Sequence, residues 1–307
     1  MRKIKLSIIG AGAVGSNVAF LTFLYHLVPE LVLVDIKGSL AKGLALDLED
    51  GRFFLNSNTV VKGTDKIKEI SGSDIVVFTA GISRRPGMSR EDLLSTNAKI
   101  AKEVALKVKK LAPASIVIVV TNPLDIITYV FCKYTGFKRE RIIGMGLGLD
   151  ASRLSNLIFH KIGISPADVS PWILGMHGKE MLVAKFTNIK GMSMGNFIDS
   201  ESWRKLKELT VNRGAEVVKF LRCGSARFAP ALGVKQILEA IVFDKRSFVL
   251  ASIMLQGEYG IRNVCLGVPV LISRRGVDKI LEVELDKEEK HLLKRAASYL
   301  SSCTKSL

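Results

Sequence analysis

The sequence predicts an α/β chain in which a doubly wound parallel sheet fills roughly the first half and an α+β domain follows. Two observations carry this. Through residues 4–134, short and nearly continuous apolar runs alternate with helical runs. Strands covered on both faces read that way, and parallel pairing with right-handed crossovers follows. The alternation then stops at "RIIGMGLGLD", with glycines at 144, 146 and 148, and longer helices dominate afterwards. At 307 residues the chain exceeds the usual size of a single core, so two packed domains, 1–147 and 148–307, are expected.

Taken in order, "IKLSII" (4–9) reads as a strand and "VGSNVAFLTFLYHL" (14–27) as a helix. "LVLVD" (31–35) is a strand and "LAKGLALDLED" (40–50) an amphipathic helix. "DIVVFTA" (74–80) is a buried strand, "EDLLSTNAKIAKEVALKVKKL" (91–111) a helix, "SIVIVV" (115–120) a strand and "DIITYVFCKY" (125–134) a helix. Beyond the glycines, "ASRLSNLIFHKIG", "SWRKLKELTVNRGAEVVKFL" and "EEKHLLKRAASYL" are helices, interspersed with short strands such as "VPVLIS" (268–273).

Composition is globular, with 48% hydrophobic and 24% charged residues. The mean hydropathy of +0.27 points to extra apolar surface, of the kind subunits bury between them. The formal charge of +16 raises nucleic acid as a partner. It is spread evenly, however: residues 1–148 carry 21 Lys+Arg against 13 Asp+Glu, and 149–307 carry 24 against 16. With no basic tail, aromatic-rich RNA signature or zinc-finger spacing, anionic small molecules are favoured and nucleic acid is not expected. Cys132, Cys223, Cys265 and Cys303 show no CxxC or metal-ligand spacing. They are expected to be reduced thiols of a cytoplasmic protein, and no metal site is expected. The apolar run near the N-terminus is short and enters a glycine turn, as a first strand does. The most apolar later stretch is broken by Asn122-Pro123 and Asp125, so no membrane span is expected.

Gly10-x-Gly12-x-x-Gly15 follows the first strand and opens the first helix. In that context the first glycine permits a tight turn, and the second lets backbone approach a pyrophosphate. The third allows close helix–strand packing, and the helix N-terminus offers N–H groups to phosphate. Asp35 ends the second strand, 20 residues after Gly15. A carboxylate there accepts ribose hydroxyls and repels a 2′-phosphate, so the first domain is read as a Rossmann domain that takes NAD rather than NADP. The bland alternative is a glycine turn with a capping aspartate.

For catalysis the candidates are few. His26 and His160 fall inside helical segments, and His291 lies on a Glu/Lys-rich helix. His177 sits in a turn between Gly175 and Gly178. Asp150 and Arg153 are spaced i, i+3 at a helix start, on one face. Alternatively, Asp150 is merely an N-cap and Arg153 its solvated neighbour. The loop "GISRRPGMSR" (81–90) crowds Arg84, Arg85 and Arg90 around Pro86-Gly87, which solvated surface charge would also explain.

The series GAGAVG, Asp35, "AGISRRPGMSREDLLSTN", "VVTNPLD", "GLGLDASR", "GMHGKE" and the later "GSARFAPA" resembles the lactate/malate dehydrogenase family over nearly the whole chain. The resemblance implies that His177 is the acid/base and that Asp150 orients its imidazole. Arg153 would clamp the carboxylate beside the reacting carbon, and Arg90 would polarise the carbonyl. It places Asn122 near nicotinamide and substrate, and Asn97 in the same site. Arg84, six residues before Arg90, would meet a second carboxylate, which with Ala226 favours a small dicarboxylate, malate/oxaloacetate, over lactate. Pro86 and Gly87 would hinge the loop, and Arg85 has no role in this scheme. Family members suggest a homotetramer, with a dimer as second choice.

One departure is that Lys179 and Glu180 follow the His-Gly pair, where the family commonly has an acid at once. A cation near His177 disfavours its protonated form. Lys179→Asp is therefore expected to move the pH–rate profile upward, and an unchanged profile would show that Lys179 points away.

Overall fold

The computed structural model describes residues 4–82, 90–178, 181–222, 224–305 and 307, with the side chains of Arg90 and Leu182 outside the description. The first half runs β1 (Lys5–Ile9), α1 (Ala13–Leu24), β2 (Glu30–Val34), α2 (Gly38–Asp50), α3 (Arg52–Leu55), β3 (Val60–Thr64), β4 (Ile75–Phe78), α4 (Arg90–Leu111), β5 (Ile116–Val119), α5 (Leu124–Thr135) and β6 (Ile142–Gly144). After it come α6 (Leu147–Ile162), β7 (Val169–Ser170), β8 (Ile173–Gly175), β9 (Met181–Val183), β10 (Asn188–Ile189) and β11 (Met192–Ser193). The chain closes with α7 (Ser200–Leu221), α8 (Phe228–Val242), β12 (Ser247–Gln256), β13 (Arg262–Ser273), β14 (Gly276–Ile280) and α9 (Lys287–Thr304).

The first six strands lie parallel in the order β3-β2-β1-β4-β5-β6. Strand order reverses between β1 and β4, so a crevice opens there at the carboxyl ends of the strands. The period of two in a strand explains why both faces are apolar. Leu6, Ile8, Leu33 and Val77 face one core, with Val18 and Phe23 of α1 and Ala41 of α2. Ile9, Val34, Val76 and Phe78 face the other, against α4 and α5. On α4, Ala98, Ala101, Ala105 and Val108 form the apolar stripe of a 3.6-residue period. Its acids come first (Glu91, Asp92) and its lysines last (Lys109, Lys110), matching the helix dipole. Phe78 and Phe131 stack with ring centroids 4.8 Å apart, and truncating a buried ring of this kind costs about 3–5 kcal/mol.

The second half continues the same sheet. Antiparallel β12 joins β6 at the pair Ser252↔Gly144, followed by β13, β8 and β9, and β14 pairs with β13. A Cβ on Gly144 would come within 2.8 Å of the Ser252 Cβ and closer still to Thr128, so only glycine lets β6 and β12 meet. Strands β7, β10 and β11 make a separate small sheet. Sequence reading caught only the end of the β12–β13 hairpin, at 268–273, and did not foresee α8. The apolar runs of β12 and β13 lack the alternation of half-exposed strands, although Gly257 and Gly260 mark the turn between them, and α8 is largely apolar where it packs on α1. Among the described residues no helix is long and apolar enough to cross a membrane.

An ion pair also ties the two halves together. Arg139, just before β6, donates from Nη2 to Glu258 Oε1 at 2.8 Å and from Nη1 to Glu258 Oε2 at 3.1 Å, in the β12–β13 turn. Burial raises the proton affinity of Glu258, but Arg139 and the Gln256 amide outweigh it and hold its pKa at about 2. A depressed carboxyl contributes stability above its unfolded value near 4.5, and that contribution is lost as pH falls towards 2. Glu258→Gln should cost about 1–2 kcal/mol at neutral pH, with a difference from the parent that shrinks between pH 4.5 and 2. Urea melts across that range check it; a difference independent of pH would assign the stabilisation elsewhere.

Candidate active site

The cavity at the switch point holds about 320 Å³ and is lined by Gly12, Gly15, Asn122, His177 and Ala226 among others. Its floor is the turn after β1. Gly10 has φ +108°, and a Cβ there would come 2.6 Å from the Ala80 nitrogen. A Cβ on Gly15 would sit 1.8 Å from the Gly10 carbonyl oxygen. These two glycines are required by the protein's own packing. Gly12 is different: its φ is an ordinary −69° and a Cβ on it would meet no protein atom within 4 Å. Space held open over a helix N-terminus without acids in its first turn suits a pyrophosphate. Asp35 lies beside this turn, its Oδ2 accepting from the Ala11 amide at 2.7 Å and its Oδ1 from the Lys37 amide at 2.9 Å. The donor set and the open cradle fit a dinucleotide.

Above the turn, the carboxyl ends of β4 and β5 are tied together. Thr79 Oγ1 donates to the Gly10 carbonyl at 2.8 Å, and Thr121 Oγ1 to that of Ala80 at 2.8 Å. Asn97 is 1% exposed and spends its amide on backbone. Its Oδ1 accepts from Ile82 N–H at 2.9 Å, while Nδ2 donates to the Asn122 carbonyl at 2.8 Å and the Ile82 carbonyl at 3.2 Å. Asn97 therefore does not line the cavity; it fixes the backbone on either side of it. Asn122 does line it, just before a cis Asn122-Pro123 bond at the start of α5.

The third wall is His177. It follows β8 in a turn whose flanking glycines, Gly175 and Gly178, have φ of +101° and +92°. A Cβ on Gly146 would come 3.1 Å from the His177 Cβ, so glycine before α6 lets the turn seat. Gly146 is also the N-cap of α6, which puts Asp150 one turn inside the helix, so Asp150 is not a cap. Asp150 has no solvent exposure; its Oδ2 lies 2.6 Å from His177 Nδ1, and its Oδ1 accepts from Arg153 Nη1 at 2.9 Å. With Nδ1–H committed to a carboxylate, Nε2 is the ring nitrogen left to exchange a proton. Burial alone would lower the pKa of His177, but the charge and hydrogen bond of Asp150 outweigh it. Asp125 assists and Arg153 opposes, and the net shift is upward. Arg153 reaches Asp150 but is not part of the cavity lining.

Sequence reading missed Asp125. Its Oδ2 accepts from the His177 backbone N–H at 3.0 Å across 52 residues of sequence. Only its place three residues after Asn122 marked it, and an acid in the first turn of a helix is ordinary. Ser83, Arg84, Arg85, Pro86 and Gly87, with Lys179, Glu180 and Cys223, lie outside the described residues, so Arg84's part, the hinge and the Lys179 departure are not placed. Arg90 begins α4 at the mouth of that loop.

The contrast among the glycines is testable. Gly12→Ala should fold with at most about 1 kcal/mol lost at the cap, yet bind NADH at least about tenfold more weakly. Gly15→Ala should lose stability first. Calorimetric melts and NADH fluorescence titration separate the two, and a Gly12→Ala protein that binds NADH normally would sink the assignment of the cradle.

Two family descriptions match the chain: lactate/malate dehydrogenase, NAD binding domain, over residues 4–144, and lactate/malate dehydrogenase, alpha/beta C-terminal domain, over 148–306. A malate dehydrogenase of Pyrobaculum aerophilum is 42% identical over 286 residues, 93% of this chain and 92% of the relative. The crystal structure of Cryptosporidium parvum malate dehydrogenase superposes with a TM-score of 0.96 at 33% identity, covering 100% of this chain and 99% of that one. The lactate dehydrogenase of the same organism, solved with lactic acid and nicotinamide adenine dinucleotide, gives 0.95 at 34%, covering 100% and 98%. With matches that span both halves and a glycine cradle built for a dinucleotide, the chain belongs to the lactate/malate dehydrogenase family of NAD-dependent oxidoreductases.

Proposed function

We propose that the chain is an NAD-dependent malate dehydrogenase, interconverting malate and oxaloacetate, and that His177 is its proton donor and acceptor. The observation that supports this most is the 2.6 Å contact of His177 Nδ1 with a fully buried Asp150, beside a cavity floored by the glycine turn. In reduction, NADH supplies the hydride. His177 gives the Nε2 proton to the carbonyl oxygen, and Asp150 stabilises the imidazolium beforehand, in line with its raised proton affinity. The reverse reaction returns the proton to Nε2. Arg153 offers the N–H groups not spent on Asp150 to the carboxylate beside the reacting carbon. Arg90 polarises the carbonyl, Asn122 borders nicotinamide and substrate, and Asn97 holds the Asn122 backbone in place.

The choice of malate over lactate rests on the sequence position of Arg84, six residues before Arg90, and on relatives named malate dehydrogenase. Lactate is the second reading, because the scaffold of a lactate dehydrogenase fits this chain as closely as that of a malate enzyme. Oxaloacetate and pyruvate, each assayed with NADH at the nicotinamide absorbance, separate the two. Losing one partner of a desolvated charge pair costs about 2–5 kcal/mol. Arg84→Gln should therefore lower kcat/KM for oxaloacetate roughly 30- to several-thousand-fold and improve pyruvate. Oxaloacetate turnover that survives the change intact would refute the assignment.

We place the enzyme in the cytoplasm, on its thiols, with a role in the tricarboxylic acid cycle. We further infer self-association, a homotetramer before a dimer. Supporting it, Phe53 and Phe54 are 87% and 84% exposed on α3, and Phe54 lines a shallow surface pocket with exposed Phe20 of α1. Such a patch is unusual on a surface that stays in water.

A further inference from the structure

We propose that Asp125 is a second carboxylate of this site, a positioning residue that anchors the His177 main chain and, with Asp150, brackets the imidazole with negative charge. The inference rests on the reading of His177 as the acid/base.

Asp125 occupies the first turn of α5, where an acid ordinarily sits in water and complements the helix dipole. Here it is 3% exposed and is not part of the cavity lining. Burying a carboxyl is costly, and the cost is tolerated where a specific partner needs it. Its Oδ2 is spent on the N–H of His177 at 3.0 Å, while Asp150 takes the ring of the same residue at 2.6 Å. One histidine is thus held at backbone and at side chain by carboxyls from two different helices, α5 and α6. The turn it occupies has glycine on both sides and so has little stiffness of its own.

The other oxygen of Asp125 is the further sign of a tuned group. Oδ1 is buried with no hydrogen-bond partner among the described residues, and so is the hydroxyl of Ser252 on β12. Ser252 lies close enough to Asp125 to favour its ionised form. Burial, first, and Asp150 drive Asp125 towards its protonated form; Ser252 and the ring and amide of His177 oppose them, and the net proton affinity is raised. Around the pair stand Asp150 and Arg153 from α6, Ser252 from β12 and Cys265 from β13. Burial holds Cys265 as a neutral thiol beside Cys132, with the sulfurs 4.0 Å apart. An ionised Asp125 raises the proton affinity of His177, so removing its charge lowers it.

Asp125→Asn keeps an acceptor for the His177 N–H and gives Ser252 a donor, so it should fold. Its His177 imidazole, titrated by NMR in the protein without substrate, should ionise about one pH unit lower than in the parent. Protonated His177 is the form that reduces oxaloacetate, so the alkaline limb of kcat/KM should move down by the same amount. KM for NADH should stay within about twofold. Ser252→Ala, which leaves Asp125 easier to protonate, should move the titration the same way by less. An unmoved His177 titration in either folded variant overturns the proposal. Because the titration needs no turnover, it stands apart from the oxaloacetate assay, whose failure would instead count against the malate reading.

Discussion

A carboxylate shut away from water must be matched by donors, and Asp150 organises the rest of the site around that demand. One oxygen is met by His177 and the other by Arg153, so the three side chains hold each other's geometry. Removing one partner of a buried pair leaves an uncompensated charge, at about 3–5 kcal/mol. The pair can form only because β8 delivers His177 to the start of α6, and Gly146 leaves room for it. Packing therefore fixes which ring nitrogen is free on a histidine that lines the cavity.

The sheet explains why this geometry is held firmly. A site between two separately folded domains would move with their hinge. Here β6 and β12 pair at Gly144, and Arg139 with Glu258 closes the same seam across 119 residues of sequence. The glycine turn and Asn122 come from the parallel side, His177 from the antiparallel side, and Asp150 from the helix that crosses between them. Rigid elements on both sides hold the His177–Asp150 pair against the glycine turn.

Much of this was legible in the sequence because the signals are local. A strand, three glycines and an aspartate at the end of the next strand define the cradle within 35 residues, each with its own steric or electrostatic reason. The apolar alternation of the first half follows from strands buried on both faces. What escaped was non-local. Strands β12 and β13 each carry a nearly unbroken apolar run, without the period of two that betrays a half-exposed strand. Asn97 reads as a ligand-facing amide, yet its bonds go to Ile82 and Asn122, contacts that depend on how α4 packs. Asp125 reads as a dipole-matching acid, and only the fold brings His177 to it. Polar residues that act through a neighbour carry no spacing of their own.

Counting charge at the centre gives the two acids a common purpose. With Asp125 and Asp150 ionised, Arg153 and a protonated His177 balance them, so the cluster is neutral when the imidazole is protonated. With His177 neutral it carries one net negative charge. A single carboxylate would leave the protonated cluster positive and bind its proton less firmly. A pair of carboxylates without Arg153 would make it negative and bind the proton more firmly. The second carboxylate and the arginine thus work as counterweights to each other, on top of the larger opposition between burial and Asp150 that sets the proton affinity of His177.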